Sequence, residues 1–507
     1  MSDSSKTKRI AKNTLVLYIR MVVVMLISLY SSRVILKGLG VEDFGLYNVV
    51  GGVVGLFAFL RASMEKATQR FLNFEMAKPD GNSNDVFCVS LTIHILIAAL
   101  AFVLLETVGL WFLNTYIDIP AGREAAANWV YQAVTVSLCV TIVTVPYGAC
   151  IISHEKMSIF AIVNVLDAVL KLGFAFMLFL SGGDRLILYG FLMMLIPFTS
   201  ILIYLFYCRR HYPETKFHFL FDKQRFKEIF GYVGWTLLGQ SAVMGTNQGN
   251  NILLNMFHGV VANAAMSVGN QVNSAIVSLS GSFQTAFNPQ ITKSYAEGDF
   301  RYLKQLLFTT SKISYFLLLV VSLPIMFNID FILKIWLDTV PPGAGGFCIL
   351  CMVVGILNAL SAPLQFCVMA TGRIKGMQIA TAIVYLSDLV LVYLFFKMGM
   401  PPLTVMFVKD GIMLIILFVK LYYAQKEVEC IDIKSYFTHI LLPLSICTAA
   451  CIAFSFLVMY LSGGGWGDLA ATLAMIVFSI ATYYYIALNR QERDALKRLV
   501  SSKLKFK

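Results

Sequence analysis

Apolar residues run along this chain in long unbroken blocks, separated by short polar or charged steps. The blocks fall at about 13–34, 44–61, 87–112, 128–152, 159–180, 186–208, 229–256, 260–288, 311–333, 345–370, 377–397, 402–423, 437–461 and 467–488. Each approaches the roughly 20 residues that a helix needs to cross the hydrocarbon of a bilayer. The alternation of apolar and polar residues that marks an outer-membrane barrel is missing from them. The pattern predicts an all-α polytopic membrane protein with about fourteen transmembrane helices. No loop is long enough to fold as a separate domain. One of the longest, 209–228, is basic and aromatic (Phe217, Phe219, Phe221) and is expected to run along the inner membrane surface.

Composition sharpens this. Hydrophobic residues make up 58% of the 507 and charged residues 13%, against about 25% charged in an ordinary soluble chain. A soluble enzyme, a nucleic-acid-binding domain and a disordered chain are excluded. Cys88, Cys139, Cys348, Cys367 and Cys447 lie inside apolar runs, which argues against a disulfide framework. Cys348 and Cys351 have CxxC spacing but no second pair, so no metal site is expected there. Met1 to Lys12 is polar and basic, and the span after it is too long for a cleaved signal peptide.

The net charge of +12 acquires a meaning once the loops are assigned to sides. With the N-terminus inside, 31 of the 40 Lys and Arg residues fall in cytoplasmic segments. Five (Lys37, Arg123, Arg185, Lys334, Lys397) fall outside, and four (Arg20, Arg33, Lys171, Lys409) lie within spans. Such an excess orients the chain with both termini cytoplasmic.

The two halves resemble each other. At an offset of 219, Gly40-Val41 falls on Gly259-Val260, Val49 on Val268, Ala67 on Ala286, Ala77 on Ala296 and Asp80 on Asp299, without a gap. Trp111 and Trp336, Pro146 and Pro363, and Asp167 and Asp388 follow in the same order. Six spans per copy is an even number, so both copies enter the membrane in the same direction. This predicts two six-helix lobes related by a pseudo-two-fold axis along the membrane normal, with a substrate cavity between them. The expected divisions are an N-terminal lobe 1–208, a cytoplasmic linker 209–228, a C-terminal lobe 229–424 and two extra helices with a basic tail, 425–507. Pro146 and Pro363 are expected bend points.

Two six-helix lobes with the step Gly40, Val41, Phe44, Gly45, Tyr47 into the second helix resemble the MOP (multidrug/oligosaccharidyl-lipid/polysaccharide) exporter superfamily. Within it the chain is most similar to the Wzx-type polysaccharide or O-antigen flippases. The stretch Ser63-Met64-Glu65-Lys66-Ala67-Thr68-Gln69-Arg70-Phe71 carries this, with Phe287-Asn288-Pro289-Gln290-Ile291-Thr292 and then Tyr295, Gly298 and Asp299. The resemblance implies movement of an undecaprenyl-pyrophosphate-linked oligosaccharide from the cytoplasmic to the periplasmic leaflet of the bacterial inner membrane. Polysaccharide polymerase and glycosyltransferases would be its neighbours in lipopolysaccharide synthesis. Two relatives compete. The lipid II flippases typically carry an adjacent Arg-Asp pair in the first helix, whereas Arg33 is followed here by Val34. The MATE exporters usually place a cation-coupling acid in the first helix or the C-lobe, and the first helix here holds two arginines and no acid.

Ionisable residues inside a span cost about 2.5–3.5 kcal/mol each on insertion scales, so they are functional candidates. Arg20 and Arg33 suit a phosphate or acidic sugar through paired hydrogen bonds; snorkelling to an interface is the alternative. Asp167 and Lys171 share a helix face, either as a proton- or ion-responsive pair or as a self-neutralising one. Asp388 lacks such a partner and is a candidate for coupling to a proton or sodium gradient. Adjacent Lys409 and Asp410 point about 100° apart. Arg61 and Glu65 read as a solvated pair at a helix end, Glu106, Asp330 and Asp468 as interfacial, and His94 as a packing residue.

Spans seven and eight are rich in amides. Gln240, Asn247, Asn251 and Asn255 repeat at helical spacing, as do Asn263, Asn270, Ser274 and Ser278, with Asn250 and Gln271 beside them. They either line a wet glycan cavity, with Asn247, Asn250, Asn251, Asn270 and Gln271 as binding candidates, or glue helices together. Gly51 and Gly55 form a GxxxG that reads as a close helix contact. No P-loop, nucleophile–base arrangement, cofactor motif or metal set appears, so neither enzymatic activity nor a cofactor is expected. A cation-coupled small-molecule antiporter is the rival reading. The topology is testable with reporter fusions. Fusions after Lys37 or at Gly463 should read as periplasmic and fusions near Lys223 or Lys503 as cytoplasmic; a periplasmic C-terminus overturns the assignment.

Overall fold

A computed structural model describes residues 3–55, 57–117, 119–120, 122–180, 182–218, 220, 222–337, 339–462, 466–489 and 492–493. Phe219, Phe221, Gly463 and the basic tail beyond 493, Lys503 included, lie outside the described residues. Among the described residues there is no strand, and eleven helices are long and apolar enough to cross a membrane. Fourteen were expected, and three further helical stretches answer to the difference. The 74-residue helix Lys223–Ala296 is two helices that meet at Gly259; straight, it would run about 110 Å. Residues 41–55, Ala58–Ala77 and Thr404–Glu427 are also helical. Their charges (Arg61, Glu65, Lys66, Arg70 and Glu75; Lys409, Asp410 and Lys420) hide them from an apolar count.

The bends that divide the merged helices show the repeat directly. Gly40 has φ 82 and ψ 172, and Gly259 has φ 77 and ψ −176. That region is open to glycine almost alone, and the two residues stand at the expected offset of 219. Helices Ser83–Leu104 and Phe300–Phe327 both continue as short helices after a break, ending in Leu110–Tyr116 with Trp111 and in Ile329–Trp336 with Trp336. Pro146 and Pro363 sit inside matched helices, Glu124–Ser153 and Ala344–Thr371. One detail is corrected. Ala77 and Ala296 both end their helices, but the next helices start at Ser83 and Phe300. The first copy therefore has two extra turn residues, and Asn82, not Asp80, caps as Asp299 does.

The chain forms two compact units, one of residues 10–240 and one of the described residues from 241 onward together with 3–9. In the first, Leu46, Val50, Leu105, Leu113, Val130 and Tyr131 make a core. The π turn at Leu105–Gly109 presents the Leu105 carbonyl, which accepts the Tyr131 hydroxyl at 2.7 Å. Glu106 in the same turn accepts from Gln132 at 2.9 Å. Among the described residues of this unit, Gly51 and Gly55 have no neighbour that a methyl group would touch, so the GxxxG makes no helix contact within it. His94 is buried and bonds its own helix at Ser90, as a packing residue should. The linker is anchored at its start. Tyr212–His218 is pinned to the first unit: Asn84 donates to the Glu214 and Lys216 carbonyls at 2.7 and 2.9 Å, and Thr215 is buried.

The second unit centres on Leu254, Met266, Phe347, Cys348, Cys351 and Met406, so the CxxC pair is core. The last two helices dock on Phe300–Phe327. Tyr315 meets Thr448 at 2.8 Å, Phe316 stacks on Tyr483 at 3.8 Å, and Lys312 donates to Glu492 at 3.0 Å with both side chains buried. Lys312 is thus not the loop cation its sequence position suggests. Large apolar side chains remain exposed all along the spans, among them Leu202, Trp111 and Phe456; a bilayer covers such surface.

Replacing Gly40 or Gly259 by Ala should lower stability by about 1–3 kcal/mol each. Gly245→Ala, in open helix, should be neutral or stabilising by up to about 1 kcal/mol. Thermal unfolding in detergent micelles distinguishes them, and equal effects at the three sites would refute the strained geometry.

Candidate functional site

Polar side chains gather inside each unit. In the first, Arg20 rises on the first helix until its guanidinium lies over the Phe160 ring, 5.4 Å from the centroid. Its Nε is buried without a partner, and no carboxylate among the described residues pairs with it. Tyr204 lies within electrostatic reach of Arg20, and also of Asp167 and Arg61. Asp167 accepts the Ser200 hydroxyl at 2.5 Å. Asp167 and Lys171 form no ion pair, and neither do Arg61 and Glu65. Lys171 is half-buried with no partner among the described residues. Arg33 is exposed on the same helix as Arg20 and stands apart from this group. Sequence spacing pairs residues on one helix; the structure pairs them across helices. Phe160, Ser200 and Tyr204 carried no signal of their own, being ordinary residues of apolar spans.

At the end assigned to the outside, Arg123 bridges Asp43 and Asp184, the latter at 2.5 Å. With Leu39, Glu42 and Arg185 these residues line a cavity of about 700 Å³. The hydrogen bond to Asp43 above all raises the Arg123 guanidinium further. Burial works against the Asp184 charge, but the Ile187 N–H and Arg123 outweigh it and hold its carboxyl below the usual range. These charges are spent on one another, tying loop ends together.

In the second unit Asn250 and Asp388 are both fully buried, and Asn250 Nδ2 donates to Asp388 Oδ2 at 2.5 Å. One turn away, Lys409 Nζ donates to Asn247 Oδ1 at 2.8 Å. Thr246 donates to the Tyr385 carbonyl at 2.9 Å. Asp410 turns off this line, as adjacency requires, and one of its carboxyl oxygens is buried unpartnered. Four expected candidates (Asn247, Asn250, Asp388, Lys409) therefore meet. Offset by 219, Ser28, Ser31 and Ser32 occupy the positions of Asn247, Asn250 and Asn251. Ser31 and Ser32 bond their own helix at Ile27 and Ser28, too short to reach across as the amides do.

The amide stripes divide between the two readings. Asn247 and Asn250 bind other helices, Asn263 donates to the Asn251 carbonyl at 3.3 Å, and Cys351 contacts Asn270 at 3.7 Å. By contrast Gln248 and Asn255 are exposed on span seven, and Ser267, Gln271, Ser274 and Ser278 make one exposed face of span eight. The three serines donate to carbonyls of their own helix and Gln248 accepts from Asn251, which leaves the Gln271 amide and the hydroxyl lone pairs turned outward.

Comparison with known proteins decides the family. A profile described as polysaccharide biosynthesis protein matches residues 10–295. The chain belongs to that family. A second profile, MatE, matches residues 238–394. No curated protein matches in sequence. Among solved structures, one described as MATE in the straight conformation shares the fold at TM-score 0.71 and 14% identity, covering 84% of this chain and 97% of its own. The outward-facing multidrug resistance MATE family transporter of the MOP superfamily gives 0.68 and 14%, covering 84% and 94%. A MOP superfamily transporter from Pyrococcus furiosus, described as having a binding pocket of reverse polarity that suggests a different function, gives 0.67 and 13%, covering 85% and 99%. The polysaccharide biosynthesis family member described here is a multi-pass MOP superfamily transporter.

Removing Asn250 leaves the Asp388 carboxyl buried and unpaired, so Asn250→Ala should cost about 1–3 kcal/mol. In a double-mutant cycle with Asp388→Ala the losses should be non-additive by about 0.5–3 kcal/mol. Unfolding in detergent measures this; simple additivity would show that the contact holds nothing.

Proposed function

We propose that this transporter flips an undecaprenyl-pyrophosphate-linked oligosaccharide from the cytoplasmic to the periplasmic leaflet by alternating access, in the inner membrane with both termini cytoplasmic. Glycosyltransferases that build the cargo and a polymerase that consumes it are its functional neighbours. The observation that carries this reading is Arg20, a permanent cation on a membrane helix with a buried, unpartnered Nε and no carboxylate partner among the described residues. A pyrophosphate leaving water needs a counter-charge in its path, because desolvating an unpaired charge is strongly unfavourable. Arg stays protonated at any relevant pH, and its planar donors fit phosphate oxygens in pairs. Arg33, exposed further along the same helix, can hand the phosphate on. The exposed face Ser267, Gln271, Ser274 and Ser278, with Asn251 and Asn270 nearby in sequence, offers the neutral donors and acceptors that sugar hydroxyls require. Binding must stay moderate so that cargo leaves on the other side.

A cation-coupled antiporter is the second reading. The MatE match over 238–394 includes Asp388, which has one buried oxygen without a partner. Against it, the deep bases Arg20, Lys171 and Lys409 equal the acids Asp167, Asp388 and Asp410 in number.

Arg20→Ala should abolish surface glycan while the protein reaches the membrane at the parent level, and Arg20→Lys should keep partial activity. Surface-polysaccharide staining with membrane immunoblotting reads both. Transport by Arg20→Ala at the parent rate would make the residue an interface anchor and remove the main support for a lipid-pyrophosphate cargo.

A further inference from the structure

The end of the first unit that carries the linker holds a cluster that none of the transport chemistry uses. Cys150 and His154 are four residues apart at the end of helix Glu124–Ser153 and so lie on one face. Just beyond, Glu155 takes a left-handed conformation, φ 58, and turns the chain away. Glu214 comes from the short helical turn Pro213–Thr215, held in place by Asn84 on its carbonyl. His154 Nε2 contacts Glu214 Oε1, and Cys150 Sγ lies 4.0 Å from the same oxygen. One ligand atom from each of the three lies within 4.8 Å of the others. Cys208, on helix Arg185–His211, interacts electrostatically with Cys150, and its sulfur lies 3.7 Å from the Tyr147 carbonyl; it stands outside the group of three and would have to move in to complete a fourth position. Both thiols are fully buried. The Tyr212 ring stacks on His154 with centroids 3.9 Å apart and planes 5° from parallel, which fixes the imidazole.

We propose that Cys150, Cys208, His154 and Glu214 form a four-coordinate site for a divalent cation of zinc type. Tetrahedral zinc with bonds of about 2.0–2.3 Å sets its ligand atoms about 3.4–3.8 Å apart. The Cys150–Glu214 separation is near that already, and a swing of the half-buried Glu214 carboxyl opens the His154 contact. Two thiols, an imidazole and one carboxylate are the donor set of a borderline-soft metal rather than of magnesium or calcium. Binding releases the two thiol protons to water, and two thiolates and a carboxylate around a dication, with the histidine neutral, leave the site with one net negative charge. The side assigned to this end by its basic loops is the cytoplasmic one, where thiols stay reduced. Three of the four ligands lie on spans four and six and one on the linker, so the metal staples the linker to the first unit. This site is independent of the cargo reading above.

The test uses the purified full-length protein in detergent, kept reduced and stripped with a chelator, titrated with cobalt(II) as a spectroscopic stand-in. The expected result is one equivalent bound, with a thiolate-to-cobalt charge-transfer band and the intense visible absorption of tetrahedral cobalt, both erased by one equivalent of zinc. Cys150→Ser and Cys208→Ser should each weaken the band, and Glu214→Gln should lower affinity by about tenfold or more. Cys88→Ser, beside the separate His218 contact, should leave it unchanged. Absence of a thiolate band in folded parent protein overturns the proposal, as does a band undiminished by Cys150→Ser or one that disappears with Cys88→Ser.

Discussion

Every backbone N–H and C=O in the bilayer has to be satisfied within the protein, because hydrocarbon offers no partner. All else here follows from that constraint. It allows only helices in the spans, makes each charged side chain within them an expense to be offset by a neighbour, and leaves bends only where something replaces the lost bond or where glycine can turn. At Leu105 the replacement is the Tyr131 hydroxyl; at Gly40 and Gly259 the chain turns sharply between two complete helices.

The same constraint explains the polar interior. Serine and threonine in the spans mostly return their hydroxyls to carbonyls one turn back, as Ser31 and Thr381 do. Asn48 and Asn164 do the same, whereas Asn247 and Asn250 reach neighbouring helices instead. The replacement of Ser28, Ser31 and Ser32 in the first repeat by Asn247, Asn250 and Asn251 in the second gives the two halves different interiors. The first half gathers arginine, aromatic rings and an aspartate bonded to serine. The second gathers amides around an aspartate and a lysine. A duplicated scaffold thus presents two unlike surfaces while its backbone bends stay matched.

Span number, the repeat and its glycines were legible because each leaves a mark within twenty or so consecutive residues. Charged stretches such as Ala58–Ala77 and Thr404–Glu427 fail an apolar count and were reached instead from the alternation of basic loops. The site was legible only in part. Asn247 and Lys409 could be named one by one, but their bond joins residues 162 apart in sequence, and spacing carries no information at that range. The Asp167–Lys171 reading failed for the opposite reason: a shared helix face permits a pair, while Ser200 on a neighbouring helix is placed better to take the carboxylate. The GxxxG at Gly51 reads as a contact only if a partner helix is there, which one helix's sequence cannot say.

The boundary of the first compact unit has a consequence for how the chain is made. That unit ends at Gln240, part-way along the helix that starts at Lys223. Tyr232 on this helix packs against the Phe71 ring at 5.5 Å and beneath the Arg70 guanidinium. A nascent chain that has released only its first six spans therefore still lacks part of its own interior. Until the ribosome delivers the start of span seven, Phe71 and Arg70 stay uncovered, so insertion of the first half is finished by the opening segment of the second.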